Sequence, residues 1–523
     1  MNFEQIKMNI KEFPVEESMG NLALFIDQAT DSLCKEHAKG ALELCELMDS
    51  LVTETQIVEL CYFKANVWST IRQVEHQDQS NIWGWDQVEL LNEVFWLRSA
   101  IRSEFFCKLD KNRQCQILVN TGNILNHIGR PIEAIEYWQR ALNTVPVFAM
   151  AMANLGMGLE TYAKTLYDPG HATIIFKAAY DILIKITNGK SIWDNEQSSS
   201  ILQSILEKAE LINQHVDFSG LEEFDLDDYP LGKTKTEQKY RSWALKEKLF
   251  LNPLNDMDSH SIAAQDVLHL PDMVCEVGSP PNLIGFYNQL KQEFSSARYL
   301  VWQGIDELDK HKLHFSDTGN LLIDTLDYPN YGVGLEQVKL SFRSAFSLLD
   351  KVAFFINDYW QLNIPEIKIN FQTVWYEFKA GRKTKNINKV FENHQNLLLR
   401  GLYWLSKDFI EQNKNTDILL GATMEPDADK LRTIRNHLEH KYLKIHDEIW
   451  SYTKEFRSDD PFHDSIAYHL TQDELVEKTL RVVKLARASL MYLSLAVNRE
   501  EKIKNEGRDS LIMPMHLHTY ERY

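Results

Sequence analysis

The stretch LRTIRNHLEHKYLKIH, residues 431–446, contains three histidines and four lysines or arginines, in a chain whose formal net charge is −19. Histidine titrates near neutral pH and can act as a general acid or base. Arginine keeps its charge, and its planar fork matches the oxygens of a phosphate. The segment could therefore be a basic surface helix, a metal site, or a site where a phosphate ester is cleaved.

The spacing predicts a helix over 427–453, beginning at the Asp427 cap after a proline. Its apolar stripe is predicted to consist of Leu431, Ile434, Leu438, Ile445 and Ile449. At 100° per residue, Asn436 and His440 lie close together on the face opposite this stripe, and Arg435 is long enough to reach the same side. A solvated face is the ordinary interpretation. A functional one requires a second surface over this face, most simply another copy of the helix.

A metal site is the competing interpretation, and its ligands would be His437, His440 and His446, with Glu439 or Asp447. In the HExxH zinc pattern the histidines are four residues apart, whereas His437 and His440 are three apart and no further ligand run follows. His463 and His469 add histidines without a clear geometry. The six cysteines are scattered and never form a CxxC pair. We therefore expect neither a metal nor another cofactor.

A repeat pattern occupies the N-terminal part of the chain. Residues 115–146, CQILVNTGNILNHIGRPIEAIEYWQRALNTVP, carry small and large residues at the spacing of a helical hairpin, namely Leu118, Gly122, Leu125, Ala134, Trp138, Ala141 and Pro146. This stretch resembles a tetratricopeptide repeat, and a second copy in phase begins at Ala149. We expect residues 1–215 to form a tetratricopeptide-like helical repeat domain whose concave surface binds a protein or peptide partner.

Composition divides the rest of the chain. Residues 216–232 contain six acidic residues and no basic one, which marks a boundary, and 216–285 is predicted to be an acidic boundary and connecting region. Residues 286–510 are predicted to form a helical domain, and 511–523 a C-terminal tail. Helical apolar spacing in that domain predicts helices over 337–360, 391–412 and 472–505. Within it, FKAGRKTKNINK (378–389) is predicted to be a basic loop.

The hexapeptide RNHLEH, residues 435–440, resembles the R-polar-x-x-x-H motif of the HEPN superfamily, and the resemblance covers about residues 285–510. These are α-helical domains, many of which are metal-independent ribonucleases in which two protomers form one composite site. The resemblance implies an all-α fold, with the N-terminal tetratricopeptide-like solenoid followed by a C-terminal HEPN-like helical bundle.

By the same resemblance, His440 would be the general acid/base, Arg435 the phosphate clamp and Asn436 a positioning residue. Arg432 and His437 share the four-residue gap, but Thr433 follows Arg432 where the family prefers Asn, Asp or His. Cleavage would leave a 2′,3′-cyclic phosphate and a 5′-hydroxyl. The residues expected to contact RNA are Lys379, Arg382, Lys383, Lys385, Arg432 and Lys444.

The sequence thus predicts a cytoplasmic endoribonuclease that acts on RNA as a homodimer through its HEPN-like domain, with a tetratricopeptide-like sensor or scaffold. Such a combination resembles a toxin or antiviral defence effector. The alternative is a non-catalytic scaffold that binds RNA, a nucleotide or a protein partner. No stretch approaches the roughly 18 uncharged apolar residues of a membrane span, so no membrane contact is expected.

Overall fold

The computed structural model describes residues 3–76, 84–187, 190–193, 201–221, 225–392, 394–410, 423–447, 464–506, 508 and 512–518. Sixteen α-helices and four short strands lie within these residues. The predicted all-α class is confirmed, with two small two-stranded sheets accompanying the helices. Among the described helices, none is both long enough and apolar enough to cross a membrane.

The N-terminal part is a succession of helices, most of which pack on their sequence neighbours. They are α1 (Phe3–Glu12), α2 (Val15–Ser32), α3 (Lys35–Met48), α4 (Glu54–Glu75), α5 (Val88–Arg102), α6 (Lys111–His127), α7 (Pro131–Thr144), α8 (Ala149–Thr165), α9 (Pro169–Ile186) and α10 (Leu202–His215). Local signals set their starts. The Asp110 carboxylate accepts the Arg113 N–H before α6, and prolines occupy the first positions of α7 and α9. These hairpins are consistent with tetratricopeptide repeats, and that assignment remains a prediction.

Trp138 explains why a small residue is needed at Gly122. The indole is buried between α6 and α8, and its Nε1 donates to Asn123 Oδ1 at 3.0 Å. A Cβ on Gly122 would lie 2.5 Å from Nε1, and one on Gly158 of α8 would also overlap the ring. Because buried side chains are close-packed, the two glycines make room for the tryptophan.

The C-terminal part surrounds one long helix. Its helices are α12 (Asn282–Leu308), α13 (Val333–Tyr359), α14 (Leu397–Ser406), α15 (Ala428–His440) and α16 (Gln472–Glu506). From Val482 to Val497, every residue of α16 except Lys484 is buried, so this segment is enclosed on all sides. α12, α13 and α14 all pack against α16, which makes it the axis of the bundle.

The two sheets correct parts of the sequence-based prediction. The basic loop is wrong as a loop, because β1 (Tyr376–Lys379) and β2 (Arg382–Ile387) form an antiparallel hairpin there. The helix predicted over 427–453 ends at His440, and β3 (Leu443–His446) follows it, paired in parallel with β4 (Tyr468–Thr471). Ile445 has the spacing of a helical residue, but it lies in a strand because β3 pairs with the distant β4. Ile449 lies outside the described residues.

Buried arginines join the connecting region to the bundle. Beyond α11 (Lys235–Lys246), Asp266 accepts two hydrogen bonds of 2.8 Å from Arg298 of α12. Asp256 accepts one of 2.6 Å from Arg487 of α16. Both arginines are buried, and a buried charge needs a partner of opposite charge. Asp266 and Asp256 provide those partners. The region around 250–266 is therefore held against the C-terminal helices.

A buried carboxylate links the two halves of the chain. Asp408, just after α14, accepts hydrogen bonds from Arg98 of α5 at 2.6 Å and from Arg130 at the start of α7 at 2.8 Å. Burial alone would raise the pKa of Asp408, but Arg130 and Arg98 hold it well below its ordinary value. Its contribution to stability is therefore complete above the ordinary pKa of aspartate and is lost only as the pH falls far below it.

Asp408→Asn should lower the free energy of unfolding by about 3 to 5 kcal/mol, because it leaves two buried guanidinium groups without their shared anion. Urea denaturation followed by circular dichroism measures the effect. The matched control is Asp181→Asn, which breaks a surface pair with Lys177 whose aspartate is 43% exposed. The control should change stability by no more than about 0.5 kcal/mol. Equal, small effects of both substitutions would contradict the role assigned to Asp408.

Candidate active site

The motif helix α15 is fixed at its N-terminal end by charges from both halves of the chain. Asp427, the residue before the helix, accepts hydrogen bonds from Arg102 of α5 at 2.5 Å and from Lys478 of α16 at 2.7 Å. The neighbouring Glu425 pairs with Arg102 at 2.7 Å and with Arg481. Carboxylates near a helix N-terminus are favourable, and here they also anchor it. The start of α15 is thereby fixed between α5 of the N-terminal part and α16.

The apolar stripe of α15 faces the bundle, as expected for its helical part. Leu431, Ile434 and Leu438 are buried, and the helix packs against α13. Asn436 is half-buried, whereas His440, the last residue of the helix, is exposed. Both therefore lie outside the buried stripe, on the side from which a second molecule could approach.

Arg435 is positioned by α13 without being buried. Its guanidinium carbon lies 4.8 Å from the centre of the Phe346 ring, and one nitrogen lies 3.5 Å from Asp350 Oδ2. The side chain remains 42% exposed. Asp350 is itself held by the backbone N–H of Phe371, and burial raises its pKa. An aromatic platform and one long ion pair orient the guanidinium while leaving its other donors accessible for a phosphate.

His437 and His440 occupy different surroundings, although only three residues separate them. The His437 ring lies 5.2 Å from the Tyr468 ring, and its Nδ1 is 2.8 Å from the Thr433 carbonyl oxygen. It therefore packs between its own helix and β4. This difference separates the two possible registers of the motif: His437 contributes to packing, and His440 is available to solvent.

Most of the expected RNA contacts lie on two exposed elements. Lys379, Arg382, Lys383 and Lys385 are exposed on the β1–β2 hairpin. Arg432 is exposed on α15. The Lys383 ammonium lies 4.6 Å from the centre of the Tyr376 ring, and its pKa is lowered by desolvation and then by the nearby Lys407 charge. The hairpin thus presents several cations on one short element.

Lys444 does not fit the role expected of it. Its side chain is buried in β3, with Nζ 2.6 Å from Asp327 Oδ2 and 3.0 Å from Asp464 Oδ2. Burial alone would lower the pKa of Lys444, but these two carboxylates raise it. Because the Lys444 side chain is itself buried and pairs with both carboxylates, it is not accessible to a phosphate. The helical projection failed here because this residue belongs to a strand.

An exposed apolar segment beside the motif was not identified from the sequence. Between α12 and α13, apolar or aromatic side chains project into solvent at Leu313, Phe315, Leu321, Leu322, Ile323, Leu326, Tyr328 and Tyr331. The segment is attached to β3, because the Asn330 N–H donates to the Ile445 carbonyl at 2.7 Å. So many exposed apolar groups on one segment are typical of a surface that another molecule covers. The run of three apolar residues at the start of LLIDTL (321–326) was the available signal.

Two further groups of polar residues lie outside the motif helix. Among the described residues, Asp327, His446 and His469 are the potential metal ligands whose donor atoms come together, all within 4.8 Å of one another. His437, Glu439 and His440 are not part of that group. In the N-terminal part, a cavity of about 310 Å³ is lined by polar residues including Asn66, Arg72, Glu93, Asn120 and His127.

Neither a curated protein nor a solved structure matches the chain. Residues 275–500 match the family model described as LA2681-like HEPN. The matched range contains α12 to α15 and all but the last six residues of α16, and therefore the motif helix with its supporting bundle. The resemblance inferred from RNHLEH is thereby confirmed: residues 275–500 form a HEPN domain.

Proposed function

We propose that the HEPN domain cleaves RNA without a metal in the catalytic step, and that it does so as a homodimer. The observation that supports this most is the placement of Arg435 and His440 on a short helix fixed at its other end. Arg435 is oriented by Phe346 and Asp350 but remains half exposed. His440 is exposed and lies outside the buried core. Neither placement is needed to fill the interior.

In the proposed reaction, His440 transfers the proton and Arg435 stabilises the charge on the phosphate. His440, as a base, takes the proton of the ribose 2′-hydroxyl, whose oxygen attacks the adjacent phosphorus. Arg435 contacts the phosphate oxygens on which negative charge develops. The bond from phosphorus to the 5′-oxygen breaks, and a histidine in its protonated form supplies a proton to that oxygen. A 2′,3′-cyclic phosphate and a 5′-hydroxyl result, with Asn436 positioning the phosphate.

The exposed apolar segment supports assembly of two copies. It is attached to β3, which follows α15 directly, so a partner covering the segment would also lie near the exposed side of the motif helix. A two-fold interface uses the same patch on both subunits and brings the two copies of any residue near the axis together. The proposed cleft would therefore contain His440 and Arg435 from both protomers.

We propose that the N-terminal helices act as the sensor or scaffold, and that the whole protein is a toxin or antiviral defence effector. The polar cavity there lies beside α14, because Arg400 of α14 donates to the backbone carbonyl of His127 at 3.2 Å. Burial, together with the charges of Arg400 and Arg72, lowers the pKa of His127 to about 4. A protein or peptide partner bound there would touch residues that contact the HEPN domain.

His440→Ala should reduce the rate of RNA cleavage by roughly 10² to 10⁴, the usual loss for an acid/base group. Arg435→Ala should reduce it by roughly 10² to 10³, because a charge-stabilising donor is lost. Both variants should keep the wild-type circular dichroism spectrum. Cleavage of a labelled RNA, measured in a short assay with EDTA added at the start, reports the effect.

His437→Ala is the matched control for the catalytic histidine. It makes the same change on the same helix, at a residue that packs on Tyr468, so cleavage should fall by less than about tenfold. Cleavage that persisted in His440→Ala but failed in His437→Ala would move the site to the other register. Cleavage lost at once with EDTA would instead indicate a metal in the catalytic step.

Light scattering should give a mass of about twice the 61.0 kDa of the chain. Ile323→Asp, at a side chain that is 77% exposed within the apolar segment, should shift the protein towards monomer because it places a charge in the interface. Val277→Asp, at a site that is 96% exposed before α12 and outside the apolar segment, is the control and should leave the dimer intact. A monomeric wild-type protein at all concentrations, with or without RNA, would exclude the composite cleft.

Lys383→Ala should weaken RNA binding and flatten its dependence on salt by about 0.7 in the logarithmic slope, as expected for one lost contact to a single strand. Turnover at saturating RNA should persist. Lys246→Ala, which removes an exposed lysine from α11, is the control and should leave the slope unchanged. Fluorescence anisotropy over a range of salt concentrations measures both. An unchanged slope for Lys383→Ala would remove the hairpin from the RNA-binding surface.

A further inference from the structure

Two histidine rings meet beside the strand pair that follows the motif helix. In the parallel register Lys444 lies opposite His469, and His446 lies opposite Thr471, so these four residues share one face of the sheet. His446 Nε2 and His469 Nδ1 are 2.8 Å apart, and the two rings meet edge to edge with centres 5.1 Å apart and planes inclined by 19°. The two nitrogens therefore address one small volume.

The hydrogen bonds around His469 determine which of its nitrogens can act as a ligand. Its Nε2 lies 3.0 Å from the backbone carbonyl oxygen of Asp464. A carbonyl oxygen only accepts, so Nε2 carries the proton, and Nδ1 of the neutral ring accepts the Nε2–H of His446 through the lone pair that it would offer to a metal. A histidine that binds a metal usually donates its other N–H in this manner, which fixes the orientation of the ring.

Asp327 supplies a third donor from a different part of the chain. One carboxylate oxygen of Asp327 and one ring nitrogen of each histidine lie within 4.8 Å of one another. The carboxylate is held by Lys444 at 2.6 Å and by the Thr325 hydroxyl at 2.5 Å. The Lys444 charge is balanced by Asp327 and by Asp464, so the immediate surroundings retain a net negative charge for a cation.

We infer that Asp327, His446 and His469 bind a divalent transition-metal ion, zinc in particular. Two imidazoles and one carboxylate are a donor set that zinc accepts, with a solvent molecule in the fourth position. At bond lengths of about 2.0 to 2.1 Å, two nitrogens on a tetrahedral ion are about 3.3 Å apart. To admit the ion, His446 would carry its proton on Nδ1 instead of Nε2, and the two ligand nitrogens would move about half an ångström further apart than in the present hydrogen bond.

The role of this ion would be structural. It would join three segments: the apolar segment between α12 and α13, strand β3 and strand β4. β3 begins three residues after His440, so the ion would fix the chain at the C-terminal end of α15, while Arg102 and Lys478 fix it at the other end. The inference does not depend on RNA cleavage, because the ligands are distinct from Arg435, Asn436 and His440.

The test uses the full chain, stripped by prolonged dialysis against a strong chelator and then titrated with Zn²⁺ alone. Calorimetry should show binding of one ion per chain, and the melting temperature should rise by several degrees. His469→Gln, at a partly exposed ligand, and Asp327→Asn should each weaken binding at least tenfold and remove most of the rise. His440→Ala should bind zinc as the wild type does.

The inference fails if the wild type binds no zinc, which would identify His446 and His469 as a hydrogen-bonded pair only. It also fails if both ligand variants bind zinc as well as the wild type, which would identify adventitious binding elsewhere. Loss of binding in His440→Ala with retention in His469→Gln would overturn it in favour of ligands on the motif helix. Using two ligand variants keeps the result interpretable if Asp327→Asn also disturbs Lys444.

Discussion

The buried carboxylate of Asp408 is the interaction on which the two halves of this protein depend. It receives Arg98 and Arg130 from the N-terminal helices at 2.6 and 2.8 Å, and all three groups are withdrawn from water. Removing such charges from water is costly unless each is paired, so the halves are committed to one relative arrangement. Close backbone contact reinforces it: a Cβ on Gly129, whose φ is +90°, would lie 2.9 Å from the backbone nitrogen of Gly401 in α14.

The same charged system continues to the motif helix. Arg102, one turn after Arg98 on α5, contacts both Glu425 and Asp427 at the start of α15. Any partner that moved the N-terminal helices would therefore also displace, through these ion pairs, the helix that carries Arg435 and His440. Under the proposed function, this provides a physical route from a sensing surface to the cleft, because the linkage is made of short ion pairs and rigid helices.

The helical class, the HEPN domain and the apolar stripe of α15 could be predicted from the sequence, because they follow from local spacing and one hexapeptide. It could not place Lys444 or the end of the motif helix. Both depend on a strand pair whose members are about twenty-five residues apart in sequence, and such pairing is invisible to helical periodicity. Likewise, Asp327 and His469 lie far from each other in sequence, so only the fold brings them to His446. The roles of Arg435, Asn436 and His440 remain predictions.

The proposed function requires the exposed edge of α15 to form a cleft in which a histidine and an arginine cleave RNA. Mass spectrometry of the termini of RNA fragments produced by the wild-type protein tests it most directly. Attack by the ribose 2′-hydroxyl predicts fragments that end in a 2′,3′-cyclic phosphate and begin with a 5′-hydroxyl. Fragments with 3′-hydroxyl and 5′-phosphate ends, which arise when water attacks instead, would exclude this mechanism. RNA that remains intact would exclude cleavage altogether.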